Sequence, residues 1–416
     1  MPGPLADAIA QYVDELCTAY PDRHMGGPGN RAATATFADT VARFGFDVER
    51  SQFDCIDWEH GDVLLDVAGE RFQALVGPYS LAADVEAILA SADSVEDLET
   101  DTIRGAIVLM HGDLVRGQLM PKNFVFYNPE SHRRIIRALE ENGPAAVIAA
   151  TGTNPELVGS AYPFPFIEDG DFDIPSAYMK DVEGERLLAH VGETAKLHFD
   201  SRRVTRQSEH VVATKAGPAP GRVVVFGHID SKEGTPGALD NAVGVAALLG
   251  MAELLSDYSS GPTVELVPLN GEDYYAASGQ MIWVAENEGR FGDIVLGANI
   301  DAAGWRGHAA HISTYSLPDA TARIVGKAME AYPSLAEGPP WPMSDHGIFI
   351  QHGCPTLAIT SEGVGDLLAE IAHTERDVPA LVDAAVVADC ARFLSDVVRD
   401  IARNRDGRAK THAGER

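Results

Sequence analysis

Positive charge is scarce in this chain. Its 416 residues carry 32 Lys and Arg against 62 Asp and Glu, a formal net charge of -30. Only 7 of the 32 basic residues are Lys; the other 25 are Arg. Such a surface repels phosphate backbones and anionic lipid, which speaks against nucleic acid and membrane surfaces as partners. Most of the acidity reads as a well-solvated surface, with some carboxylates free to bind metal. Cysteine is sparse too. Cys17, Cys55, Cys354 and Cys390 lie far apart, and no CxxC pair occurs. A disulfide framework and a zinc-thiolate site are therefore not expected, and a reduced compartment fits. No run approaches ~18 uninterrupted apolar residues. The opening Met-Pro-Gly-Pro-Leu-Ala-Asp has no basic or apolar leader character. The expectation is a soluble cytoplasmic protein. Internal repeats, low-complexity tracts, a GxSxG elbow and a Cys–His pair are also missing.

The hydrophobic fraction is 45% and the charged fraction 23%, ordinary for a chain that buries a sizeable core. At ~150 residues per domain, the length suggests two or three domains. Residues 4–19 and 33–45 carry apolar positions at helical spacing, and RHMGGPGNR between them reads as a loop. The Gly-Gly-Pro-Gly within it lacks the strand and the Lys-Ser/Thr of a phosphate loop and reads as a turn. From about 60 to 205 short strand-like runs follow one another: DVLLDVAG, AIVLMHGD, FVFYN, AAVIAATG and KLHFDS, with one helix at 130–143. From about 210 strands and helices alternate, ending in a long helix and a polar tail. That alternation predicts an α/β fold: a mixed, mostly parallel central sheet flanked by helices.

The chemistry-bearing residues fall where strands of this second half run out, the edge at which α/β sheets build sites. His228 and Asp230 follow VVVFG. Asp240 follows a Gly-Thr-Pro-Gly turn and opens a helix. Glu272 and Asp273 follow VELVPLNG, Asp301 follows VLGAN, and His373 lies beyond CPTLAITS. Taken singly, each is an ordinary cap, turn or surface residue. Together they form an imidazole and carboxylate set suited to Zn²⁺, and more loosely to Mn²⁺ or Co²⁺. Asp240 is the natural bridge between two cations, because a short loop returns it beside His228. Asp230 is close enough to orient the His228 imidazole through its carboxylate. Of Glu272 and Asp273, one can bind metal while the other acts as a base.

The stretches GHIDSKEGTPGALDNAVGVAALLGMAELL, NGEDYYAASGQ, NIDAAGW, SDHGIFIQHGCPTLAIT and AHTERD, in this order from about 206 to 400, resemble the M28 family of zinc metallopeptidases. RHMGGPGNRAATATFADTVARFGFDVE adds a family-like opening, and the β-rich middle is similar to the protease-associated (PA) domain that some members insert. The resemblance implies two zinc ions, one held by His228 and Asp301, the other by Asp273 and His373, with Asp240 between them. It implies Glu272 as general base and Asp230 as the partner of His228. The family usually has Glu where Asp273 stands, one methylene longer. Many members carry a carbonyl-polarising Tyr just before the last histidine. Here that place is Ala372, so Tyr274, Tyr275 or His346 would have to serve. The related M20 family inserts its extra domain after the fourth ligand, whereas here the extra module precedes His228.

The resulting expectation is a zinc exopeptidase-like catalytic domain over 1–58 and 206–405, an inserted PA-like domain over 59–205, and a tail at 406–416. The activity expected first is an aminopeptidase on peptides. Alternatives are a carboxypeptidase, with Arg306 or Arg376 meeting the substrate carboxylate, or an amidohydrolase or cyclase on a small N-acyl or aminoacyl compound. A binding protein on a peptidase scaffold would have lost ligands or base, and here each position holds a competent residue. Ser344, Asp345 and His346 could touch substrate or cap a helix, WPM at 341–343 could line the cleft, and Cys354 reads as a core thiol. Oligomeric state is left open, a homo-oligomer included.

Overall fold

Runs such as Arg222–Phe226 are buried at every residue. A β-branched segment covered on both faces is the expected form of a central parallel strand. A computed structural model describes residues 3–124, 128–153, 163–341 and 344–413, with side chains as far as Asn404. Residues 125–127 of the strand expected at 124–128, and most of WPM, fall outside these residues. Four parallel strands, Thr263–Val267, Arg222–Phe226, Ile294–Ile300 and Thr356–Ser361, stand side by side in that order. Antiparallel neighbours extend them to a mixed sheet of eight strands. One face packs on the helices Pro4–Thr18, Val243–Leu254 and Ala384–Ala413, through Leu5, Ile9, Leu248, Val387 and Leu394. The other packs on Trp283, Ile348 and Phe349 from the helices Gly279–Glu286 and His346–Gln351.

Residues 64–199 build a second eight-stranded sheet. Alternate residues of Ile107–Met110 enter two different hydrophobic clusters, Ile107 and Leu109 in one and Val108 and Met110 in the other. This sheet is therefore covered on both faces. Within it Ala83–Ala92, Ile107–Met110, Ala146–Thr151 and Ser176–Lys180 run parallel. The helix expected at 130–143 is Glu130–Asn142, and Asp181–Leu188 is a further helix that was not anticipated.

Two long strands join the layers. Asp47–His60 pairs antiparallel with Ser201–Lys215 along its whole length, from Asp47 opposite Thr214 to His60 opposite Ser201. This ribbon was not expected. Its solvent face is charged, and its buried face is Phe53, Cys55 and Asp57, so polar residues mask the two-residue period. Two other elements differ from expectation. The Gly-Gly-Pro-Gly turn runs straight into the helix Pro28–Arg43, with Pro28 at its first position. The last helix reaches Ala413, across the expected tail. All four cysteines are buried and free. Among the described residues no helix is long and apolar enough to cross a membrane.

Candidate metal centre

The four parallel strands end on one edge, and the chain turns there into loops that carry the polar residues. The approach is tight. A Cβ at Gly227 would lie 2.8 Å from the carbonyl carbon of Gly244, and one at Gly244 would lie 2.5 Å from the Ile300 carbonyl oxygen. Glycine at both positions lets the helix Val243–Leu254 start against the strand ends, which returns Asp240 to the side of His228. Asn241 fixes the start of that helix, donating to the Ile300 carbonyl at 2.8 Å and accepting the Gly244 N–H at 2.9 Å. The Asp240–Asn241 peptide is cis.

Two clusters result. His228, Asp240 and Asp301 form one, and Asp240, Asp273 and His373 the other, with the donor atoms of each within 4.8 Å of one another. Asp240 belongs to both. Its Oδ1 lies 3.1 Å from His228 Nε2, and its Oδ2 lies 2.8 Å from His373 Nε2. His228 Nε2 is 3.6 Å from Asp301 Oδ1, and His373 Nε2 is 2.8 Å from Asp273 Oδ1. Glu272 stands beside the first cluster, its Oε2 3.9 Å from His228 Nε2. Every one of these residues is buried. His373 adopts a left-handed backbone, φ 60°, a conformation uncommon outside glycine and typical of functional positions.

Asp230 departs from expectation. The His228 Nδ1–H donates to the main-chain carbonyl of Asp230 at 3.1 Å. The Asp230 carboxylate is 3.7 Å from that nitrogen, beyond hydrogen-bond reach, and its Oδ2 accepts the Asp273 N–H at 3.0 Å. The chain turns back after Ile229, so the carbonyl reaches the ring and the side chain reaches across to the next strand.

Proton affinities in the centre are strongly displaced. Burial opposes charge on His228, yet Asp230, Asp240 and Asp301 outweigh it and hold the imidazole well above its ordinary value. His373 is pushed up to about 10, burial again opposing and Asp273 and Asp240 prevailing. The Asp240 carboxyl is lowered: burial raises it, but His373 and His228 together win. Glu272 goes the other way. Burial lifts its carboxyl well above the usual range against the pull of His228, with Asp301, Asp345 and Asp273 adding to the rise.

The centre fits a divalent cation on its own chemistry. His228 Nε2, His373 Nε2, Asp240 Oδ2 and both oxygens of Glu272 and Asp273 are buried without hydrogen-bond partners. Imidazole nitrogens and carboxylate oxygens face one another at 2.8–3.6 Å without the alignment of hydrogen bonds. Burying that much negative charge is costly unless it is paired or coordinates metal. Two histidines with carboxylates are a zinc donor set.

Two residues that shape the centre, Asp377 and Arg23, were not singled out from the sequence. Asp377 accepts the main-chain N–H groups of Leu239 at 2.7 Å and Asp240 at 3.0 Å. Arg23, 1% exposed, donates to the carbonyls of Leu16, Ile229, Pro236 and Gly237 at 2.8–3.0 Å. Ser344 Oγ donates to Asp301 Oδ2 and accepts from Asn299. Ser344 was expected to touch substrate or cap a helix; it steadies a cluster carboxylate instead, and the helix His346–Gln351 has no side-chain cap. Asp345 and His346 are fully buried, bonded to Gln280 and to the Trp341 carbonyl. Motif spacing conceals such partners because they act through main-chain atoms far along the chain.

A cleft of about 910 Å³ opens on His373 between the two layers, walled by Trp58, Phe72, Leu75, Tyr178, Lys232 and Tyr274. Of the three candidate carbonyl donors, Tyr274 accepts the Glu233 N–H at 2.6 Å and keeps its own O–H to donate, whereas His346 donates to the Trp341 carbonyl. The Tyr275 ring packs on Phe124, centroids 4.8 Å apart. The Arg306 guanidinium donates to the carbonyls of Ala380 and Val382, and Arg376 is exposed.

Residues 210–398 match the model of peptidase family M28. Over this stretch the chain is similar to that family. Aspergillus fumigatus "Probable leucine aminopeptidase 2" is 25% identical over 287 residues, 65% of this chain and 54% of that protein. The chain thus spans about half of this relative's length. Two solved structures share the fold nearly end to end. The aminopeptidase from Aneurinibacillus sp. strain AM-1 superposes with a TM-score of 0.74 at 20% identity, covering 95% of this chain and 94% of that one. The zinc aminopeptidase from Bacillus subtilis gives 0.71 at 19% identity and 94% coverage of both.

Proposed function

We propose that the protein is a zinc-dependent aminopeptidase that removes N-terminal residues from peptides. The observation that carries this reading is Asp240, one carboxylate with an oxygen turned to each of two imidazole–carboxylate clusters. In the proposal His228 and Asp301 would hold one zinc ion, Asp273 and His373 the other, and Asp240 would bridge them. When bound, such a pair supplies Lewis acidity toward a peptide carbonyl and makes water a better acid.

The chain's own residues supply the rest. Glu272 takes the proton of the attacking water and hands it to the leaving amine. Its partnerless oxygens and its burial beside His228, which raises its proton affinity, suit a general base. The Asp230 carbonyl holds the His228 tautomer, leaving Nε2 for metal. Tyr274 and Tyr275 are the carbonyl donors that remain once His346 is engaged. The substrate lies in the cleft between the layers, and residues 59–205, read as a PA-like insert, form one wall of it. Of the two arginines named for a carboxypeptidase, Arg306 is held by main-chain carbonyls and Arg376 is not among the residues lining the cleft.

The test is a panel of aminoacyl, N-acyl and C-terminal chromogenic substrates, assayed with zinc and after chelation. Aminoacyl substrates alone should turn over, only with metal. Glu272→Gln should lower kcat by ~10²–10⁴-fold with zinc content unchanged. Turnover untouched by either change would sink the reading.

A further inference from the structure

A half-buried cation sits beside the centre. The Lys232 ammonium donates to the main-chain carbonyl of Asp273 and lies 4.5 Å from the centre of the Tyr274 ring. A positive charge next to a cluster carboxylate repels any divalent cation there, and burial leaves that repulsion poorly screened. The charge is not left uncompensated. Glu168 Oε2 accepts from Lys232 Nζ at 2.8 Å and from Gln118 Nε2 at 3.2 Å, and Glu168 is 1% exposed.

Glu168 does not belong to the sheet that carries the centre. It lies between the strands Ala146–Thr151 and Ser176–Lys180 of the second sheet. Ile167 and Phe172 on either side are buried in that layer's core, so the loop presenting Glu168 is anchored there. The second layer thus delivers a carboxylate to the edge of the metal centre.

We infer that Glu168 is a charge-compensating residue of the metal centre, contributed by the second layer. It cancels Lys232 so that the Asp240, Asp273 and His373 cluster keeps the negative potential a cation needs. The inference rests on the two-zinc reading and goes beyond it. It makes metal retention in one layer depend on a side chain of the other. Lys232 is then free to hold the Asp273 carbonyl without expelling the ion that Asp273 would bind.

The test is zinc affinity of the full chain, measured by competition with a fluorescent chelator, for wild type, Glu168→Gln, Lys232→Met and the double variant. Thermal unfolding of each serves as the check on folding. Glu168→Gln leaves Lys232 unpaired and should weaken binding of one zinc by ~10–100-fold, the range seen when outer partners of a metal site are lost. The double variant removes both charges and should recover most of that loss. A double variant as weak as Glu168→Gln would overturn the inference and leave a contact that only joins the layers. Unchanged affinity in Glu168→Gln would overturn it as well. Wild-type protein that binds no zinc would instead remove the two-zinc reading itself.

Discussion

The Asp377 carboxylate holds the loop of Asp240 by its backbone. One oxygen accepts the Asp240 N–H at 3.0 Å, and the other accepts that of Leu239 at 2.7 Å. Asp377 is fully buried, so no water stands ready to replace it. Asp377→Ala orphans both donors, each at a cost of ~1–3 kcal/mol. The urea midpoint should fall accordingly, and zinc affinity should fall with it because Asp240 loses its anchor. Asp377→Asn keeps one acceptor and should fall less. Equal midpoints for wild type and Asp377→Ala would show that the loop is held by something else.

Arg23 acts on the other side of the same loop. Its guanidinium meets four main-chain carbonyls, from Leu16, Ile229, Pro236 and Gly237. The planar fork matches that spread, and an ammonium on a flexible stem does not. Arg23→Lys should therefore destabilise the fold by ~1–3 kcal/mol through unsatisfied carbonyls. Denaturant unfolding with an unchanged m-value would read this directly. A loss no larger than that of an exposed Arg→Lys control would contradict the role.

Zinc itself should stabilise the protein. The clusters bring together two imidazoles and the buried carboxyls of Asp240, Asp273 and Asp301, with Glu272 beside them. The unfolded chain holds no such site. At free zinc a hundred times the dissociation constant, the folded state should gain about 2.7 kcal/mol. Calorimetry should show Tm rising with zinc and falling on chelation. A Tm indifferent to both would mean that the carboxylates are neutralised by protons alone.

The clustered residues were readable because each lies in the segment that follows a strand of one parallel sheet, and topology alone then brings them to one edge. Their partners were not. Asp377 and Arg23 reach loops 137 and 206 residues away and bind main-chain atoms, which leave no mark on motif spacing. Asp230 was expected to face His228 with its carboxylate, yet its carbonyl does so. The local turn decides which oxygen arrives. Glu168 lay outside the motifs altogether because it comes from the other layer. On the fold side, Arg222–Phe226 and Ile294–Ile300 announce themselves as apolar runs. The ribbon Asp47–His60 hides because its charged face interrupts the pattern. The helix from Pro28 hides behind three glycines that close packing requires: a Cβ at Gly29, for one, would lie 1.9 Å from the Asp22 carbonyl oxygen.

That same loop carries a pH-dependent contact. His24 Nδ1 lies 2.6 Å from Asp22 Oδ1, and its Nε2 lies 3.4 Å from Asp57 Oδ2 on the ribbon. Burial disfavours the charged ring, but Asp22 and Asp57 prevail and lift His24 from 6.5 to about 10. A raised pKa in the folded state means that folding takes up a proton once the unfolded ring has lost its own. The stabilisation is therefore present in full below the ordinary value of 6.5 and is lost as pH climbs toward about 10. The two carboxyls are lowered, by His24 against burial in both cases. Their contribution holds above the ordinary carboxylate range and fails on acidification. The stability gap between wild type and His24→Gln should thus be widest between these limits and should narrow steadily from about pH 6.5 to about pH 10. Urea unfolding at intervals across that range checks it. A gap that stays constant would mean that His24 stabilises the loop by shape and packing, with no part played by its charge.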